Sequence, residues 1–148
     1  MFFVGSILFF FLSNANAEYR DTIDYWHVYY NGVKVRQYDE NSLLFKDASN
    51  YFKIVLKLDS IKDGDSITVK YGSDILCSSC TKYLIFYDST KEVIIGKETN
   101  FHNTVSFKLK ELVDFKKNTD KNKFDIFYSE DLGEFVHRKH IVFTVQLE

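Results

Sequence analysis

The residues of this 148-residue chain whose types and spacing invite chemistry are Cys77-Ser78-Ser79-Cys80, because two thiols three positions apart can form a structural disulfide, a redox couple or half of a metal site. A redox couple wants its first thiol at a helix N-terminus, where the dipole lowers the thiol pKa. Here Ile75-Leu76 precede the pair and Lys82 to Tyr87 follow it, and both flanks read as strands. A metal site would draw on His137 and His140, with His27 and His102 as replacement ligands, giving two Cys and two His in the order of a zinc site. In an extended strand, however, positions three apart point to opposite faces, which argues against His137 and His140 ligating together. The leading expectation is a disulfide between Cys77 and Cys80. On the chain-entropy model so small a ring contributes roughly 2 kcal/mol. A periplasmic zinc- or copper-binding protein built on Cys-x-x-Cys plus His is the alternative.

The second constellation is aromatic. Tyr25, His27 and Tyr29 alternate along one stretch, and Asn31-Gly32 follows at once. Asn-Gly between two apolar runs is the strongest short-range signal for a two-residue hairpin, because a type I′ turn needs positive φ at both central residues. A regular hairpin about this turn pairs His27 with Arg36 and Trp26 with Gln37. It sorts Trp26, Val28, Tyr30, Val33 and Val35 to a core face. Tyr25, His27, Tyr29, Lys34, Arg36 and Tyr38 go to the other. Tyrosine rings among cations give flat, stiff contact area with polar tips, which suits a carbohydrate or a protein surface. Tyr25, Tyr29, Arg36 and Tyr38 are therefore the candidate binding residues, although strand tyrosines also face plain solvent readily.

The elements that must hold these residues are strands. Phe52, Ile54, Leu56 and Leu58 alternate with polar residues, as do Ile67, Val69 and Tyr71, then Val105, Phe107 and Leu109, and finally Ile141, Phe143, Val145 and Leu147. Lys82 to Tyr87 and Glu92 to Gly96 flank a polar loop, Asp88-Ser89-Thr90-Lys91, of hairpin length. The alternation breaks over 110–117, where apolar residues recur at helical spacing and predict one short helical crossover. Nine or ten strands with frequent turns predict an all-β fold: an antiparallel β-sandwich, immunoglobulin-like or jelly-roll-like, with a small closed β-barrel as the alternative.

Residues 2–12 are apolar apart from Gly5 and Ser6, and Ser13-Asn14-Ala15-Asn16-Ala17 carries the small-x-small pattern of a signal-peptidase site. This predicts a signal peptide over 1–17, a single domain over 18–148, and a secreted or periplasmic location. Eleven residues of helix reach about 16 Å, too short to span a bilayer. With 19 basic and 21 acidic side chains spread along the chain, no global field recruits nucleic acid. Fifteen Phe and ten Tyr with no Pro exclude a disordered or Pro-rich ligand chain. Nucleophile elbows, zinc-protease helices, phosphate loops and dinucleotide fingerprints are absent from the sequence, and Asp63-Gly64-Asp65 fails the calcium-loop template. The expectation is a non-enzymatic binding or interaction module that needs no cofactor. A structural envelope component is a further alternative.

Overall fold

A computed structural model describes residues 25–39, 52–72, 80–99, 103–131 and 137–148, with the backbone alone at 38–39 and 137–140. Among the described residues nine strands form two sheets. β1 (Tyr25–Tyr30), β2 (Val33–Asp39), β4 (Ser66–Gly72) and β7 (Thr104–Lys108) make a four-stranded sheet in the order β2-β1-β4-β7. β3 (Lys53–Leu56), β5 (Thr81–Asp88), β6 (Lys91–Glu98), β8 (Lys123–Asp131) and β9 (His137–Leu147) make a five-stranded sheet in the order β3-β9-β8-β5-β6. The helix α1 (Leu109–Asn118) follows β7 directly, one residue longer at each end than the expected 110–117. The two sheets do not close into a barrel, so the architecture is sandwich-like and all-β. One pair departs from the antiparallel expectation: β3 runs parallel to β9. β3 and β4 therefore do not form a hairpin; the chain crosses from one sheet to the other between them.

Alternation explains the layers. Trp26, Val28, Ile67, Val69, Tyr71, Val105 and Phe107 turn inward from the four-stranded sheet. Leu84, Phe86, Phe124, Ile126, Tyr128, Phe143, Val145 and Leu147 meet them from the other, and the two sets form one core. Tyr71 bridges the layers, with ring centroids 5.4 Å from Trp26 and 4.8 Å from Tyr128. At the opposite end of the core, Phe115 of α1 stands edge-on to Phe86 and Phe124 at 4.9 and 6.1 Å. Gly96 lets the sheets meet along the β6 and β7 edges, since a Cβ there would lie 2.9 Å from both the Ser106 carbonyl and Val105 Cγ1.

The hairpin turn forms as its sequence requires, with φ of 46° at Asn31 and 80° at Gly32. It is tied down by Asp65, whose carboxylate accepts from the Lys62 backbone N–H at 3.0 Å, Asn31 Nδ2 at 2.9 Å and the Tyr30 hydroxyl at 3.1 Å. The Lys62 and Asn31 donors hold the Asp65 carboxyl below its ordinary range. A depressed carboxylate contributes stability that is present above its unfolded-state pKa and lost as pH falls through the folded one. The advantage of the wild type over Asp65→Asn should therefore be constant near neutrality and shrink below about pH 4. Urea unfolding of both proteins across that range checks this, and a pH-independent difference would refute it.

Three bulges shift the expected registers. The first lies between Val28 and Tyr29 of β1: Tyr30 and Tyr29 pair with Val33 and Lys34 as expected, but Val28 then pairs with Arg36, His27 with Gln37 and Trp26 with Tyr38. Val35 is the extra residue, 40% exposed rather than in the core, and Val33 is 67% exposed. A bulge with Lys34 and Arg36 on an edge strand twists and charges that edge against pairing with another chain. The second bulge falls at Leu84/Ile85 and seats Ile95 between rungs of the β5–β6 ladder. The third, between Ile126 and Phe127, splits the face expected for the last strand. Phe143, Val145 and Leu147 are buried, whereas Ile141 pairs with Phe127 on the other side and is only half-buried.

Candidate functional site

The outward face of the four-stranded sheet is built around β1. Because alternate residues of a strand share a face, burying Trp26 and Val28 turns Tyr25, His27 and Tyr29 outward in one column. The Tyr25 and His27 ring centroids are 5.1 Å apart, and those of His27 and Tyr29 6.4 Å. Neighbouring strands add polar groups on the same rungs. His27 stands between Gln37 of β2 and Lys70 of β4, and Tyr29 between Lys34 and Thr68. Lys34 Nζ donates to Gln37 Oε1 at 3.2 Å, and the Thr68 and Ser106 hydroxyls lie 2.7 Å apart.

Two features fix the column. Gly72 pairs with Tyr25 from β4, and the Tyr25 ring lies over it, occupying the space that a Cβ at Gly72 would need. A ring covering a glycine on the adjacent strand restores the contact that the glycine lacks. His27 is held below its ordinary pKa by burial first, then by the charges of Lys34 and Lys70. Its imidazole is therefore neutral at pH 7 and offers a flat ring rather than a third cation.

The sequence-predicted residues divide on this geometry. Tyr25 and Tyr29 share the column, together with His27 and Lys34. Arg36 does not join them: the bulge sets it opposite Val28, and its guanidinium lies 5.5 Å from the centre of the Phe52 ring, on the side of the β3 edge. The backbone of Tyr38 pairs with Trp26, and its side chain lies outside the described residues. Gln37, Lys70 and Thr68 were not selected from the sequence, because only the cross-strand register brings them beside the rings.

Of the cysteine pair, Cys80 is 5% exposed just before β5 and is not a free thiol, while Cys77 lies outside the described residues, as do His102 and the side chains of His137 and His140. Among the described residues no three of His, Cys, Asp and Glu converge on a common point.

Two further features stand apart from the aromatic column. A groove of about 500 Å³ runs between a 3-10 turn (Leu58–Ser60) and α1, with Leu58, Ile61 and Val113 along it. Two ion pairs stand on its rim, Lys110 with Asp63 at 3.5 Å and Lys117 with Asp114 at 3.3 Å. The other feature is buried. On the inner face of the five-stranded sheet Lys82 is wholly buried, with Glu130 of β8 and Glu98 of β6 as its cross-strand neighbours. Glu130, 4% exposed, accepts from the Tyr128 hydroxyl at 2.8 Å. Lys82 continues the phase of Leu84 and Phe86, and Glu130 that of Ile126 and Tyr128, so charges in step with core residues were the readable signal.

No helix among the described residues is long and apolar enough to cross a membrane. Compared with protein-family models, curated proteins and solved structures, the chain matches none.

Proposed function

We propose that residues 18–148 form an exported, non-catalytic binding module, secreted or periplasmic, that recognises a carbohydrate or a protein surface through the outward face of β1. The observation that carries this reading is the column of Tyr25, His27 and Tyr29 on a sheet whose other face is fully engaged in the core. Rings fixed by a sheet lose little conformational freedom on binding, so their contact area converts efficiently to affinity. Of the candidate residues, Tyr25 and Tyr29 make the contact. Arg36, set opposite Val28 with its guanidinium by the Phe52 ring, stands away from this contact, and Tyr38 stays a candidate at the β2 edge. A bond between Cys77 and Cys80 closes the chain just before β5 and belongs to the same reading, since an oxidising compartment favours it.

Replacing Tyr25 and Tyr29 together by Ala should weaken binding to whatever ligand a glycan array or partner pull-down identifies by on the order of 10- to 100-fold. Loss of exposed cross-strand pairs should cost stability only about 1–2 kcal/mol. Unchanged affinity in the double variant would remove the site. Alkylation of the unfolded, unreduced protein, followed by intact mass, tests the remainder. A mass starting at Glu18 with no alkylated thiol is expected, whereas two alkylated thiols with bound zinc or copper would favour metal handling through Cys77 and Cys80. A negative glycan screen with one stable envelope partner would favour a structural component.

A further inference from the structure

The outward face of the four-stranded sheet differs in charge from the chain as a whole. The chain carries a net charge of -2, with acids and bases interspersed. The face, in contrast, presents Lys34 and Lys70 on either side of the aromatic column, with Gln37, Ser66, Thr68, Thr104 and Ser106 between and beyond them. Among the described side chains of that face no carboxylate occurs. The nearest acid of these strands by register is Asp39, opposite Tyr25 at the column's end. Lys108, at the far corner, lies in the field of Glu111 and is not counted with the other two lysines. Both Lys34 and Lys70 are exposed, and no carboxylate pairs with either among the described residues.

We propose that the ligand of this face is an acidic polysaccharide whose sugar rings stack along Tyr25, His27 and Tyr29 while its carboxylate or sulfate groups are held by Lys34 and Lys70. The inference rests on the reading that this face is the binding surface, and it names the ligand class. The Tyr25 and His27 rings are 5.1 Å apart and tilted by 37°, and the His27 and Tyr29 rings 6.4 Å apart and near edge-on at 67°, so the column offers successive separate ring contacts, spaced like the pyranoses of a glycan chain, rather than one flat platform. The apolar face of a sugar stacks on a tyrosine ring, and its hydroxyls find Gln37, Thr68 and Ser106 alongside. His27 adds a tilted ring, at 37° to Tyr25, between the two lysines. Nucleic acid fits less well, since its affinity is dominated by many phosphate contacts and this face offers two well-separated ammonium groups. An anionic membrane fits less well too, because the column is made of rings with polar tips and the exposed aliphatic side chains of this sheet, Val33 and Val35, lie on its edge strand β2.

The test uses the full secreted chain and a defined set of probes: polygalacturonate, alginate and heparin as acidic chains, a neutral β-glucan, single-stranded DNA, and vesicles containing phosphatidylserine. Binding to at least one acidic glycan is expected, weakening at least about tenfold between low and high salt. Lys34→Gln with Lys70→Gln should lower that affinity about tenfold and flatten the salt dependence, while circular dichroism shows the fold retained. Tyr25→Ala with Tyr29→Ala should abolish it. Binding of the neutral glucan through the tyrosines, unaffected by the lysine changes, would overturn the acidic ligand and leave the face as the binding surface. Acidic-glycan binding that survives the tyrosine changes would overturn both. Failure of all three acidic glycans, or a preference for DNA or vesicles, would overturn the inference.

Discussion

Trp26→Ala should destabilise the domain by about 4 kcal/mol, the range measured for truncating large buried aromatics. Trp26 is completely buried in the central part of the four-stranded sheet and heads the Trp26–Tyr71–Tyr128 series that joins the two layers. Its removal opens a cavity that β1 cannot collapse into, because Val28, two residues along, is held by Val69 on one side and Arg36 on the other. Against a typical total of about 5–15 kcal/mol, such a loss leaves a substantial unfolded population. Trp26→Phe keeps a ring against Tyr71 and should cost about half as much. Urea unfolding followed by far-ultraviolet circular dichroism measures both, and a loss below about 1 kcal/mol for the Ala variant would show that the layers are not joined through this residue. The outward column on β1 should suffer with it, since Tyr25 and His27 flank Trp26 in the chain.

Lys82→Ala should cost about 3 kcal/mol or more, a large effect for a residue that touches no candidate ligand. An ammonium wholly removed from solvent is tolerable only beside opposite charge, and its cross-strand neighbours are Glu130 and Glu98. Taking it away leaves Glu130 buried with its Tyr128 hydrogen bond and less positive charge to balance it. Replacing both, as Lys82→Met with Glu130→Gln, should recover most of the loss, because a neutral pair of similar volume avoids the desolvation of two ions. Equilibrium unfolding of Lys82→Met, Glu130→Gln and the double variant provides a double-mutant cycle. Strictly additive losses would show that Lys82 and Glu130 do not interact and that the row of charges has another partner.

Elements governed by local rules were readable from the residues. The turn at Asn31-Gly32 and the helix over Leu109–Asn118 lie where their sequences put them, because turn geometry and helical periodicity need no information from distant strands. Ile67, Val69 and Tyr71 are buried as their alternation implied. The same locality explains the candidate site. Tyr25 and Tyr29 share a face because they lie two and four residues along one strand from His27 and Tyr25, and no pairing is needed to know it. Arg36 required the β1–β2 register, and a single extra residue, Val35, moved it away from the column. Bulges are poorly legible because Val33-Lys34-Val35-Arg36 keeps its alternation whether or not one residue is unpaired. The parallel pairing of β3 with β9 was invisible for a different reason: it joins residues 53–56 to residues 144–147, and nothing in either segment specifies direction.

That pairing has a kinetic consequence. β9, the latest in sequence of the described strands, is an interior strand of its sheet, bonded to β8 on one side and to β3 on the other. While its residues are still within a ribosome, β3 has no partner in its sheet and Leu56 and Val55 have no ladder to join. Part of the core wall, including Phe143, Val145 and Leu147, is missing at that moment. Contacts of such long sequence separation form late and slowly. Closure of the two sheets therefore waits on β9, so the sandwich forms in one late, concerted step rather than strand by strand.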